Sequence, residues 1–155
     1  MKISKSLEQA IFVLLMLALQ KDKTTVKSFI LSKKLEISDS YLKKILRKMV
    51  VADLIVSNAS KDGGFQLKKP IEEISLYDVY KAIETTEITD FKSEIARKLF
   101  KDEEHIKNRE DRIIDTINKA EEDTLKKLKL SELLDSKKYK NSGCIINGVD
   151  GRNFH

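Results

Sequence analysis

Residues 38–49, SDSYLKKILRKM, hold four cations and three hydroxyls within twelve positions. Such groups make no covalent chemistry by themselves; they bind anions. Lysine and arginine neutralise phosphates, and short hydroxyls donate to phosphate oxygens or meet base edges. Read as a helix, the stretch opens with Ser38 as N-cap and Asp39 in the first turn, where a negative charge suits the helix dipole. Leu42, Ile45 and Met49 recur on one face. That leaves Ser40, Tyr41, Lys43, Lys44, Arg47 and Lys48 for the other sides, and a major groove is wide enough to admit such a helix. The plain alternative is an amphipathic surface helix without a ligand, and the flanking sequence has to decide.

Other chemistries find little support. His105 and His155 have no evident nucleophile or carboxylate partner, and no phosphate loop is present. The Gly63-Gly64 pair belongs to no nucleotide fingerprint. The single cysteine, Cys144, excludes an intramolecular disulfide and supplies no metal-site spacing. It reads either as an accessible redox or electrophile sensor near Lys137, Lys138 and Lys140, or as an incidental thiol. An enzyme is not expected, and neither is a metal.

Charge distribution favours a local polyanion site. The 155-residue chain has a formal charge of +5, with 35% charged and 6% aromatic residues, a balance suited to helical surfaces. Residues 20–61 carry ten Lys/Arg against four Asp/Glu, a net of +6, whereas residues 62–155 carry eighteen against twenty. The excess is therefore concentrated around the cationic stretch. The apolar run Ala10–Leu19 is too short to span a bilayer, and it leads straight into QKDKTT without a small-residue cleavage site. A cytoplasmic protein without a membrane partner is expected.

The elements around the stretch follow in order. A first helix starts at Ser4 or Ser6, where SLEQ has capping-box spacing, and is apolar almost all round, so it should be buried or shared with a second subunit. Lys2 and Lys5 stay at its entry, within reach of a phosphate. Thr24 and Thr25 offer a cap for a short second helix carrying Lys27 and Ser28, with Val26, Phe29 and Ile30 inward. About three residues then lead to the Ser38 helix, the helix-turn-helix pattern, although no glycine occupies the turn. Leu54–Ser57 and Phe65–Leu67 read as strands around a turn-rich Asn58–Gly64, in which Gly63-Gly64 can supply positive φ values. This hairpin is a wing with Asn58, Ser60 and Lys61 at its tip, or an ordinary surface hairpin. Ser75 caps a further helix through Leu76, Val79, Tyr80 and Ile83.

Taken together, MKIS at the start, ISDSYLKKIL, the strand ending GGFQL and EISLYDVYKAIE resemble the Rrf-type winged-helix transcription regulators. The resemblance covers residues 1 to about 135. It implies a dimeric, sequence-specific DNA-binding repressor or dual regulator, with the recognition helix in the major groove and the wing in the minor groove. Ser38, Ser40, Tyr41, Lys43 and Lys44 fall where that family touches DNA. Three departures stand out. Ala59 and Ser60 replace the wing's frequent Arg-Gly pair, and Lys43 and Lys44 stand where many members carry glutamate or glutamine. The three cysteines that hold an iron–sulfur cluster in sensing members have no counterpart from Glu84 to Asn108. His105 alone cannot hold a cluster, so no cofactor is expected.

From Phe91 to Leu134 there is neither glycine nor proline. Ile106, Ile113, Ile117, Ala120, Thr124 and Leu128 mark an apolar stripe on a helix from about Asp102 to Lys127, roughly 39 Å long at 1.5 Å per residue. So long a stripe reads as a dimerisation helix, or else as a helix folded back on the winged domain. The expected molecule is mainly α with a small β-hairpin. Residues 1–86 form a winged helix-turn-helix DNA-binding domain, 87–135 a helical dimerisation region, and 136–155 a flexible tail. Its expected function is that of a sequence-specific transcriptional regulator, a repressor, bound to a palindromic operator of double-stranded DNA as a homodimer, with a small-molecule or redox effector left open. The competing reading is a winged-helix protein-interaction module that has lost DNA binding, motivated by the altered wing tip.

Overall fold

The structure is a computed structural model, and it describes residues 3–61, 63–84, 91 and 95–134. Lys2, Cys144, His155 and the proposed tail 136–155 lie outside the described residues. The described chain is mainly helical, with one two-stranded antiparallel hairpin. Helix α1 spans Lys5–Ala18, α2 Ser28–Leu35 and α3 Asp39–Val51. Strands β1 (Ile55–Ser57) and β2 (Phe65–Leu67) pair in the register Ile55↔Leu67, Val56↔Gln66 and Ser57↔Phe65. Helices α4 (Leu76–Ile83), α5 (Ile95–Leu99) and α6 (Glu103–Lys127) follow.

α1 is the centre of the core, as its all-round apolarity requires. Leu7, Ala10, Val13 and Leu14 are fully buried, and only Phe12 on that helix keeps a large open apolar surface. The cap is Ser4 rather than Ser6: the Ser4 hydroxyl accepts from the Leu7 amide at 3.1 Å. Leu42, Ile45, Leu46 and Met49 carry α3 into the same core. Each such side chain contributes roughly 1.5–3 kcal/mol by leaving water.

The second helix starts later than its threonines suggest. Its N-cap is Lys27, without a side-chain cap. Val26 is drawn out of the helix into an extended bridge, its N–H and C=O both exchanged with Phe65 at 2.9 and 2.8 Å. That shift leaves Phe29 outward, 45% exposed. The wing is thus anchored to the segment before α2. It also explains the two glycines. Neither has a positive φ; instead, a Cβ on Gly63 would strike the Asn58 carbonyl, and one on Gly64 would strike the Val26 backbone. The glycines permit close backbone approach, and the positive φ values fall elsewhere.

One of those values sits in the helix-turn-helix corner. Glu36 ends α2 in the left-handed region at φ 56°, ψ 40°, the position glycine usually takes. Its N–H closes onto Lys33, and Ile37 N–H onto the Ser32 carbonyl at 3.0 Å. α4 opens with a complete capping box: Asp78 N–H donates to the Ser75 hydroxyl, and Ser75 N–H to the Asp78 carboxylate at 2.8 Å.

α6 begins where its sequence places it, with the Asp102 carboxylate accepting from His105 N–H at 3.1 Å. At 25 residues it is about 37 Å long. Its two sides differ. Ile114 and Leu125 are buried against the chain's own fold, and Leu125 joins the main core together with Leu130. The segment after α6 is sewn to the start of α4 by Leu76 N–H to Leu128 C=O at 2.8 Å and Leu130 N–H to Ile74 C=O at 3.0 Å. Among the described residues, no helix is long and apolar enough to cross a membrane.

Candidate nucleic-acid interface

The cationic stretch is a helix whose apolar face is spent on the core, so its remaining sides are held rigidly outward. Ser38 caps it, accepting from the Tyr41 amide at 3.3 Å, and its hydroxyl lies 3.4 Å from that of Ser40. Tyr41 is exposed, and its hydroxyl shares a 2.6 Å hydrogen bond with the Ser6 hydroxyl of α1. The phenol is therefore aimed by a second helix. Ser6 was not among the sequence candidates, because a partner 35 positions away leaves no local signal.

Lys43, Lys44 and Arg47 are exposed. They rim a groove of about 620 Å³ between α3 and the wing, floored by Leu46, Val50, Val51, Ser57 and Phe65. The Lys43 ammonium pairs with the Asp39 carboxylate one turn earlier at 2.8 Å. That ammonium, with the Ser28 hydroxyl, holds the Asp39 carboxyl below the usual carboxylate range. Lys48 is committed differently. Its ammonium donates to the Ile83 carbonyl at 3.0 Å, satisfying the end of α4. Lys48 thus works as a strut between α3 and α4.

The remaining candidates are more scattered. Asn58, Ser60 and Lys61 are exposed at the wing tip, where Ser60 N–H donates to the Asn58 side-chain oxygen at 3.1 Å. Lys5 and Lys27 are exposed at the starts of α1 and α2, and Ser28 is half-buried beside Asp39. On α6, Ile113, Ile117 and Leu128 are 50%, 46% and 42% exposed. Ala120 and Thr124 are also exposed and Ile106 is half-buried; the Thr124 hydroxyl donates to the Ala120 carbonyl at 2.8 Å. This stripe faces away from the chain's own core. His105 is exposed on the first turn of α6, accepting from Arg109 Nε at 2.8 Å. A cleft of about 470 Å³ separates α4 from α6, with Tyr77, Tyr80 and Lys81 on one wall and Asp115, Asn118 and Glu122 on the other.

The sequence model of the Rrf2 family, described as iron-dependent transcriptional regulators, matches residues 3–136. The chain belongs to the Rrf2 family. Its members are transcriptional regulators, not enzymes. The presumed HTH-type transcriptional regulator YffB of Lactococcus lactis is 45% identical over 84 residues, 54% of each chain. The chain thus spans about half the length of the curated relatives it matches. Solved structures show the same winged-helix fold. CymR, the global cysteine regulator of Bacillus subtilis, aligns with a TM-score of 0.60 at 20% identity, over 86% of this chain and 95% of CymR. IscR of T. potens aligns with a TM-score of 0.62 at 16% identity, over 93% of each chain.

The family's description raises iron, and the donor set can be tested against it. An iron–sulfur cluster is held mainly by several thiolates. This chain has one cysteine in all. Among the described residues, no three His, Cys, Asp or Glu side chains come together as a metal site. The residues present do not fit a cluster.

Proposed function

We propose that this Rrf2-family chain is a sequence-specific DNA-binding repressor that works as a homodimer on a palindromic operator, without an iron–sulfur cofactor. The observation that carries this reading is the cationic rim of Lys43, Lys44 and Arg47 on a core-anchored helix directly beside the wing. α3 enters the major groove with Ser38, Ser40, Tyr41 and Lys43 toward base edges. The wing tip, Asn58 to Lys61, reaches the neighbouring minor groove. Between them the sugar–phosphate strand crosses the groove, its sugars over Val50, Val51 and Phe65 and its phosphates at Lys44 and Arg47.

The exposed stripe of α6 supports the dimer. Ile113, Ile117 and Leu128 lie open on a helix whose opposite side is already buried, and a second copy offers the same stripe in return. Two recognition helices then address two half-sites about one helical turn apart, roughly 34 Å. DNA binding and repression place the protein in the cytoplasm.

The test is selection of bound duplexes from a randomised pool by the full chain, followed by fluorescence anisotropy of the recovered duplex at several salt concentrations. An enriched palindrome and affinity falling steeply with salt are expected. If no motif is enriched, while a hetero-complex with another protein is recovered, the competing reading as a protein-interaction module is correct.

A further inference from the structure

The first turn of α3 contains an arrangement that its sequence of charges does not require. A carboxylate on a helix meant for a polyanion lowers affinity for every phosphate, unless it does something else. Asp39 is held from more than one side. Its Oδ2 accepts from the Lys43 ammonium at 2.8 Å, while Oδ1 is shut off from solvent. The Ser28 hydroxyl of α2 lies beside the same carboxylate. Asp39 therefore turns one oxygen into the α2–α3 corner and gives the other to Lys43.

Its effect falls on Lys43. A free lysine is a point charge on a flexible four-carbon stem, well suited to phosphates and poorly suited to choosing a base. One of the three ammonium donors is used by Asp39, and two remain. Two donors at a fixed place match the O6 and N7 acceptors of guanine. We propose that Asp39 is a positioning residue for base discrimination: it fixes the Lys43 ammonium as a guanine reader and suppresses general attraction to the DNA backbone. Lys44 and Arg47, with no acid of their own turn opposite them on the same face, keep the phosphate role. The inference rests on the DNA-binding reading above and deepens it.

The experiment compares two probes for the full chain: the duplex that the wild type recovers from a randomised pool, and a scrambled duplex of equal length and composition. Affinities are measured by anisotropy at one fixed salt for wild type, Asp39→Asn, Asp39→Ala, Lys43→Ala and Asp39→Asn with Lys43→Ala, with circular dichroism to confirm folding. Asp39→Asn and Asp39→Ala are expected to bind the scrambled duplex more tightly, and to lose about fivefold or more of the specific-to-scrambled ratio. Adding Lys43→Ala to Asp39→Asn should cost no further discrimination beyond Lys43→Ala alone, because the carboxylate acts through that lysine. A merely structural role would weaken both duplexes together. That outcome, or an unchanged ratio, overturns the inference and leaves DNA binding intact. Failure of the wild type to recover any motif overturns the DNA-binding reading, and this inference with it.

Discussion

Lys44, Arg47 and Lys48 follow one another closely on α3 in different surroundings, and salt dependence separates the phosphate role proposed for the first two from the strut role of the third. Lys44 and Arg47 stand exposed on the rim beside the wing, whereas the Lys48 ammonium is bound to the Ile83 carbonyl at 3.0 Å. Each phosphate contact contributes about 0.9 to the slope of log K against log salt. Lys44→Ala with Arg47→Ala removes two contacts per protomer and four per dimer, so the slope should become shallower by about 3.6. From 50 to 200 mM salt, the affinity deficit of the double variant then shrinks by about 150-fold. Lys48→Ala should leave the slope unchanged. It removes a hydrogen bond at the end of α4, and so costs about 1 kcal/mol or less of stability. The assay is anisotropy on the selected duplex across a salt series, with urea unfolding of each variant. An unchanged slope in the double variant, or an equally reduced one in Lys48→Ala, would refute the division of labour.

Further expectations follow from the same structure. Ile113→Asp with Ile117→Asp should give a monomer by size-exclusion light scattering with unchanged helicity, since both side chains are about half exposed in the single chain and the change touches the open stripe. Glu36→Gly should raise Tm by about 2 °C in calorimetry, because relief of the left-handed cost of about 1–2 kcal/mol slightly exceeds glycine's entropic cost. Ser75→Ala removes the hydroxyl half of the α4 capping box, leaving the backbone N–H bond to Asp78, and should lower Tm by about 3 °C in calorimetry. The Asp39 carboxyl should titrate below 3.8 by carbon-detected NMR, and Lys43→Ala should move it upward. By linkage, the Asp39–Lys43 pair stabilises the fold above the ordinary aspartate value and is lost as pH falls through the lower folded value.

What could be read from the chain alone is what depends on neighbours in sequence. The Ser38 and Ser75 caps and the bounds of α6 rest on spacings of three and four residues, and these came out as expected. The Asp39–Lys43 pair has that spacing too and was legible, though hidden among the cations. Tertiary structure alone decided the rest. Val26 left the helix because Phe65, 39 positions on, offered its backbone a strand partner. Lys48 turned to the end of α4, and Tyr41 to Ser6, because each found a hydrogen-bonding group on another helix. α6 has apolar residues on two sides: Ile114 and Leu125 go to its own chain, and Ile113 and Ile117 to the outside. Helical periodicity records that a side chain is apolar and which face it shares; only the packed neighbours determine which face is covered.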